Sequence, residues 1–568
     1  MNRSTRVLLA VPIVLLFFYL AVSSLRDDSP TMDEQNHIAR GLAFLRTGDP
    51  RLSLEHPPLL NSLSALPLLT MSHLRLPTDD VSWETREGWY RFAELFMWEY
   101  NHDATRIIFL ARLPIVFLAL GLAATGSRFA AALWGAPAGL FAFAFLLLDP
   151  NLLAHARYTT TDLGATTFTL LATWLLWRAW RCPGWCWPGV ALAGIGLGLA
   201  FGSKLSTLLF VPIYMLLAVL PLFANRWHWR DGLRRLVQLF AAGLVSLAVL
   251  WVVFGLQWEP ADFISPELDI RGRLTGTVAR IFARLDGRAL PMPTFWEGIE
   301  QLLIISKGQR PSFLLGETTL GGFTAYFPVA FLVKTPLATL VLLVLSGYLL
   351  LRPRARAADR RRTLFLLIPA VVYFAASMQS ALNIGYRHLL PILPFLYLVI
   401  AGALARLAAG PARRALRWVA PTGFAALLVT TLAIYPHFLS YFNLLGGGPE
   451  NGYRVLVDSN IDWGQDLIRL RQWMAGHEVE RVKLSYFGTA DPVYYGIDYE
   501  PLPGLPRHAE LWWDVPFSAE APEPGIYAIS ASNLWELPLQ EEKYVFPWFR
   551  AREPDDRVGY SILIYDVE

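Results

Sequence analysis

The sequence predicts a polytopic α-helical membrane protein that ends in a small α/β domain outside the bilayer. Of its 568 residues, 54% are hydrophobic and 17% charged, with a mean hydropathy of +0.38; soluble domains carry roughly a quarter charged residues. Apolar runs able to cross about 30 Å of hydrocarbon recur as far as residue 435. From residue 436 onward they shorten and begin to alternate.

The first apolar run, 7–25, follows Arg3 and Arg6. No small-residue cleavage site closes it and Arg26-Asp27-Asp28 abuts it, so a retained anchor is expected. Further spans are expected near 104–124, 129–148, 162–180, 188–203, 205–223, 236–256, 326–350, 363–379, 389–409 and 417–435, about eleven in all, the fifth and sixth being the shortest. Residues 1–435 form the transmembrane unit on this reading, with long outer loops at 26–103 and 257–325, the latter helical in pieces. In the unit 436–568, the stretches 482–487 and 525–530 read as strands and 466–474 has helical apolar spacing. Cys182 and Cys186 are too few for a zinc site or a disulfide framework.

Arginine placement orients the chain, because cytoplasmic loops collect Lys and Arg. With the N-terminus inside, the inner loops hold Arg128, Arg178 and Arg181, then Arg226, Arg230, Arg234 and Arg235. The later ones hold Arg352, Arg354, Arg356 and Arg360 to Arg362, then Arg406, Arg413, Arg414 and Arg417. The two long loops and the C-terminal domain then lie outside. The formal net charge of +3 says little about partners, and no nucleic-acid partner is expected.

On this topology Asp33, Glu34, Glu55, His56, Arg157, Asp162, Lys204, Glu317, Lys334, Arg387 and His388 all fall on the outer side or at outer ends of spans. Ionisable groups at a membrane surface are costly to dehydrate, so a one-sided collection points to a site for a charged or polyhydroxylated ligand. Each has a blander reading alone. Asp33-Glu34 or Asp162 could cap helices, Lys204 and Lys334 could snorkel to head groups, and Arg387-His388 could anchor at the interface.

Asp33-Glu34 with the following His37, the run Glu55-His56-Pro57-Pro58-Leu59, and Arg157-Tyr158 followed by Asp162 resemble protein O-mannosyltransferases and their bacterial relatives, the lipid A aminoarabinose transferases. All are C-type membrane glycosyltransferases, of glycosyltransferase family 39 and its kin. Tyr326-Phe327-Pro328, Lys334-Thr335-Pro336, Gly385-Tyr386-Arg387-His388 and 458–466 resemble bacterial members of the same group. The resemblance implies a C-type fold, Asp33 as the catalytic carboxylate beside Glu34, and Asp162 as the second acidic site. It departs from the protein mannosyltransferases in one respect: the loop 257–325 is too short for their inserted lumenal domain, which weakens a protein acceptor.

The expected activity is transfer of one sugar, a hexose or pentose, from a polyprenyl-phosphate donor to a hydroxyl at the outer face, with inversion. The phosphate leaves readily, so one carboxylate, Asp33, suffices to take the acceptor's proton. Arg387, Lys204 and Lys334, in that order, are the candidates to stabilise the leaving phosphate. Glu55, His56, Arg157, Glu317 and His388 complete the expected substrate-binding set. Asp33, Glu55, His56 and Asp162 also offer oxygen and nitrogen donors for a divalent metal ion, an alternative that spacing leaves open. Asp458-x-Asn460-x-Asp462 superficially resembles a calcium loop, but Trp463 stands where Gly is needed and Arg469 where the bidentate Glu belongs, so a turn and helix cap are expected.

Arginine-rich, lysine-poor usage fits a GC-rich bacterium, hence an undecaprenyl-type carrier and a plasma-membrane location. The acceptor is a lipid, a glycan or a protein. A transporter or flippase is the main rival, although neither inverted repeats nor matching broken helices are evident; a polysaccharide polymerase or ligase is the second.

Overall fold

The computed structural model describes residues 3–223, 228–263, 276–306, 310–409, 418–504, 517–518, 520–538 and 545–568. Arg226, Arg413, Arg414 and Arg417, used above for orientation, lie outside the described residues. Each expected span falls on a helix, beginning with α1 (Arg3–Ser24), but two boundaries differ.

The expected inner loop around Arg128 does not exist. Ala104–Trp134 is one helix of 31 residues, and the chain turns instead at Gly135, whose φ is +94°. Gly126, within the expected loop, keeps a helical backbone packed against Leu146, whereas Gly135, followed by Pro137, takes a positive φ and ends the helix. The expected span 326–350 is broken into Tyr326–Lys334 and Leu337–Leu351, bent by 107°. Pro336 supplies no N–H and forces Thr335 out of the helical region, to ψ 132°.

Among the described residues, three helices are long and apolar enough to cross a bilayer unaided: Ala104–Trp134, Trp229–Val253 and Tyr386–Ala408. The bent pair would be a fourth. Leu8–Ser24, Ala136–Leu148, Trp187–Phe201, Leu205–Val219 and Val419–Ala433 are apolar but shorter. They are apolar on nearly all sides and pack into one large cluster with the long helices. Small residues set the closest crossing. A Cβ on Gly194 would stand 2.6 Å from the Ala242 carbonyl oxygen, and one on Gly198 would stand 3.0 Å from that of Ser246, so Trp187–Phe201 lies almost backbone to backbone on Trp229–Val253.

The loop after α1 folds back as two short helices, α2 (Glu34–Thr47) and α3 (Pro58–Ala65). The loop 257–325 contains the expected helical pieces, Gly276–Leu285 and Pro293–Ser306. It also forms two small antiparallel strand pairs, β1 (Trp258–Pro260) with β2 (Ala289–Pro291) across the first of these helices, and β3 (Ser312–Leu314) with β4 (Glu317–Thr319) as a hairpin.

After residue 436 the chain forms the expected mixture of helix and strand. Helix Leu467–Gly476 precedes β5 (Arg481–Ser485), β6 (Asp498–Pro501), β7 (Gly525–Ser530), β8 (Asp556–Val558) and β9 (Ile562–Val567). The five strands form one sheet of order β6-β5-β7-β9-β8, with β5 parallel to β6 and β7, and β9 antiparallel to β7 and β8. This sheet is not isolated from the rest. Leu484, Ala528 and Ile564 share one buried cluster with Ile38 and Leu42 of α2 and with Ile107 and Ala111 of the long helix. Burying that shared surface fixes α2 between membrane helices and sheet, and α2 carries the site.

Candidate active site

Asp33 occupies the N-cap position of α2 but does not cap it; its side chain makes no hydrogen bond to the helix backbone. It points instead to Arg387, whose Nη1 lies 3.0 Å from Asp33 Oδ2 and 3.7 Å from Asp162 Oδ2. Asp162, the first residue of helix Asp162–Arg181, is held through its other oxygen by Lys204 Nζ at 2.5 Å. Four residues far apart in the chain therefore form one alternating chain of charges, Asp33–Arg387–Asp162–Lys204. The Asp33 carboxylate is 26% exposed while Asp162 is 3% exposed, so Asp33 is the acid open to a ligand.

The segment 458–466 holds this chain in place. Asn460 Oδ1 accepts the Tyr386 N–H at 2.8 Å, the Ser459 hydroxyl donates to the Ile384 carbonyl, and the Arg387 guanidinium lies over the Trp463 ring at 4.2 Å. The Trp463 carbonyl accepts the Met32 N–H, next to Asp33. This run is thus a turn, with Asp466 at the N-cap of Leu467–Gly476; the Asp466 side chain, however, binds Arg469 and Ser561 rather than the helix end.

A second group of polar residues borders Asp33 on α2 and the turn before α3. His37 and Arg40 follow Asp33 at spacings of four and seven, on one helix face. His37 Nδ1 is 2.9 Å from Asn61 Oδ1, and its ring lies 4.8 Å from that of His56. Arg40 stacks on Trp89 at 4.2 Å, with Glu55 at 4.0 Å. Among the described residues, Arg40 Nε and Nη1, His56 Nδ1, Asn36 Oδ1 and Asn61 Nδ2 are buried without a hydrogen-bond partner. Buried polar atoms are nearly always paired, so a concentration of unpaired ones beside an exposed carboxylate marks a place built for a polar ligand.

The electrostatics agree with this division. Burial pushes the Asp33 carboxyl up, but Arg387 and His37 more than offset it and hold it below the usual carboxylate range. Burial, reinforced by Arg40, lowers the His37 imidazole to about 4, and burial with His37 and Arg40 holds His56 well below its ordinary value. Both histidines are therefore neutral near pH 7. Burial pushes Asp458 up to about 6.

Several expected site residues have other tasks. Glu34 is not placed for catalysis: Arg112 binds it through Nε and Nη2 at 2.9 and 2.7 Å, and the Thr31 and Thr159 amides donate at 2.9 and 2.8 Å. Four donors saturate a carboxylate, leaving no oxygen for an incoming proton. Arg157 is buried against Asp28 at 2.7 Å and does not face a ligand; Arg469 reaches the other Asp28 oxygen at 2.6 Å. Lys334 ends its helix fully buried and donates to the Leu439 and Asn460 carbonyls at 2.7 and 2.5 Å, so it clasps the chain rather than a phosphate. Glu317 stands exposed on β4, and none of the contacts that join the cluster reaches it. His388 is half-buried next to Phe327. Arg40, Asn61 and Trp463 were not expected in the site, and His37 was noted only as part of the Asp33-Glu34 motif; the spacing Asp33-x3-His37-x2-Arg40 was the signal available for His37 and Arg40.

The donor set does not fit a metal centre. Among the described residues, no group of three or more His, Cys, Asp or Glu is placed to hold an ion. Asp162 faces Lys204 and Arg387, and Glu55 faces Arg40, so the oxygens that would bind a cation are already neutralised by cations.

With the geometry in view, the comparisons with known proteins can be placed on it. Residues 86–264 match the family model described as dolichyl-phosphate-mannose-protein mannosyltransferase, a segment that contains Asp162 and Lys204 but neither Asp33 nor Arg387. No curated protein matches the chain. In fold the chain resembles the S. cerevisiae protein O-mannosyltransferase Pmt1-Pmt2 complex bound to the sugar donor, with a TM-score of 0.50 and 13% identity over 77% of this chain and 90% of that one. ArnT from Cupriavidus metallidurans bound to undecaprenyl phosphate matches over 99% of this chain and 98% of that one, at 14% identity and a TM-score of 0.47. AglB from Archaeoglobus fulgidus, in complex with an inhibitory peptide and a dolichol-phosphate, matches over 76% and 55%, at 14% identity and a TM-score of 0.44. The fold is that of C-type membrane glycosyltransferases: a helical bulk carrying a small sheet.

Proposed function

We propose that the chain is an inverting membrane glycosyltransferase that moves one sugar from a polyprenyl-phosphate donor to an acceptor hydroxyl at the outer face of the plasma membrane. The observation that carries this reading is the pairing of Asp33, the partly open carboxylate, with Arg387 at 3.0 Å. Base and phosphate receptor thus lie one hydrogen bond apart, the separation a sugar phosphate would bridge.

The acceptor oxygen attacks the anomeric carbon as the bond from that carbon to the phosphate oxygen breaks. Asp33 takes the hydroxyl proton. The departing phosphate keeps the bonding pair and gains one negative charge, which Arg387 and Lys204 stabilise. Guanidinium grips phosphate through two parallel hydrogen bonds, for which lysine has no equivalent. Asp162 positions both cations and is shielded from solvent, so it is a positioning residue in this scheme rather than a second base.

Arg387 also gates the base. With no phosphate beside it, its charge holds Asp33 below the ordinary carboxylate range. When the donor phosphate draws the guanidinium away, the carboxylate loses that stabilisation and its affinity for a proton rises. This reading assigns the unpaired polar atoms of Arg40, His56 and Asn61, beside Asp33, to the hydroxyls of the transferred sugar. Support for a lipid-phosphate carrier comes from the family segment 86–264, and the short loop 257–325 favours a lipid or glycan acceptor over a protein.

The test is mass spectrometry of glycolipids and glycoproteins from cells with and without the gene. Loss of one hexose or pentose from one class names sugar and acceptor together. Unchanged glycans, with the lipid-linked sugar accumulating on the inner leaflet, would replace transfer by transport.

A further inference from the structure

A second cavity, of about 460 Å³, opens where α1 and Ala104–Trp134 emerge side by side, and the C-terminal unit roofs it. Leu25, Arg26, Arg106, Phe109, Tyr494 and Tyr495 line it. Arg26 and Arg106 are exposed, and neither has a hydrogen bond or ion pair among the described residues. Of the acids in the wall, Asp28 is taken up by Arg157 and Arg469, while Asp103, half-exposed, lies 3.5 Å from the His73 ring. Two guanidinium groups without a hydrogen-bond or ion-pair partner among the described residues therefore line one space, against a single half-exposed carboxylate, Asp103.

The rest of the lining is amphipathic. The Tyr494 ring packs on Trp98 and Tyr495 at 5.3 and 5.1 Å, an aromatic wall on the side of the soluble unit. Leu25, Ile108 and Phe109 form the opposite, apolar wall at the outer ends of two membrane helices. Further along the same helix, Phe117 is exposed against Phe18 and continues the apolar surface into the bilayer. An anionic head above and hydrocarbon below is the profile of a membrane lipid, and basic pockets at helix ends suit phosphate head groups.

We propose that this cavity binds the phosphate head group of an anionic membrane lipid, with Arg26 and Arg106 gripping the phosphate and an acyl chain following Phe109 and Phe117. It is separate from the transfer site. Arg112 stands in the wall between them, its Nε and Nη2 committed to Glu34. A lipid bound here seats α1, the long helix and the sheet unit against one another next to the Asp33 segment.

The experiment is native mass spectrometry of the purified full-length protein titrated with phosphatidylglycerol, with phosphatidylcholine, and with inorganic phosphate. Wild type should retain phosphatidylglycerol about tenfold better than phosphatidylcholine, a preference typical of charge-assisted contacts to phosphate. Arg26→Ala/Arg106→Ala should abolish the preference, and Arg26→Lys/Arg106→Lys should keep part of it. Arg360→Ala/Arg361→Ala, in the opposite basic loop, should leave it intact. Arg26 and Arg106 are exposed and Arg360 and Arg361 half-buried, and equal thermal midpoints would confirm that the variants are folded. The same preference in wild type and the Arg26/Arg106 alanine variant would overturn the proposal. So would release of the lipid by millimolar inorganic phosphate alone, which would make the ligand a soluble phosphate.

Discussion

Asp33 and Glu34 are adjacent carboxylates with opposite fates, and their partners decide which is which. Glu34 has every oxygen occupied by Arg112 and two amides, whereas Asp33 has one hydrogen-bonding claim on its side chain, from an arginine it shares with Asp162. Removing one side of a buried pair leaves the other charge stranded, at a cost of about 3–5 kcal/mol. Glu34→Ala and Arg112→Ala should each lower the thermal midpoint sharply in detergent, and the double variant should recover part of the loss. An additive double variant would mean that the two do not work as a pair. For the phosphate, Arg387→Lys should weaken transfer and Arg387→Ala should weaken it more, while Arg406→Ala, which releases only Asp359, should do little. Equal turnover in all three would remove Arg387 from the site. The sequence allowed the acidic pair to be picked out, but not the choice between its members. That choice depends on Arg112, which is 78 residues away and sits in an apolar run where nothing marks it as a clamp. Lys334 and Arg157 misled for the same reason: a cation at the end of a span looks alike whether it meets a head group or a buried carbonyl.

Helix α2 turns these residues into a surface, since it carries Asp33, His37 and Arg40 on one face and packs its other face on the sheet cluster. Its approach to α3 is close enough that a Cβ on Gly41 would collide with the backbone carbonyl of Asn61, the residue that binds His37. Backbone cannot yield as a side chain does, so Gly41→Ala should cost about 1–3 kcal/mol and misplace Asn61. Activity should fall with the midpoint; an unaffected variant would show that α2 has room to shift. The clasp 458–466 makes a pH prediction. Burial pushes the Asp462 carboxyl up to about 8, with the Ser532 amide at 2.9 Å opposing it. The folded state then holds a proton that the unfolded chain gives up near pH 4, so stability is greatest below that range and falls as pH rises through 8. Asp462→Asn should flatten the decline between about pH 6 and 8 in thermal melts. A wild-type midpoint that climbs over that interval would contradict the assignment. The strands and the helix of this unit were legible from alternation and apolar spacing. The shared core with α2 was not, because residues 38–42 and 484–564 are joined only by the fold.

For the whole molecule, each expected apolar run falls on a helix among the described residues, and arginine counts supply an orientation that remains a proposal. Boundaries were less legible where Gly135 and Pro336, rather than hydropathy, decided them. The orientation is testable directly: alkaline phosphatase fused after residue 568 should be active and after Arg356 inactive, and the reverse would put the site on the wrong face of the membrane. Glu317 shows the limit of reasoning from sidedness, since its hairpin shares the expected face with Asp33 but not the site. What unites Asp33, Asp162, Lys204 and Arg387 is three-dimensional closure into one chain of ion pairs, and in the proposed transfer Asp33 is the member that takes the proton. The decisive measurement is therefore sugar transfer by purified protein supplied with a polyprenyl-phosphate donor, comparing wild type with Asp33→Asn, an isostere that cannot accept the proton. The account predicts a folded variant slower by about two to four powers of ten. A folded Asp33→Asn protein that turns over near the wild-type rate would contradict it.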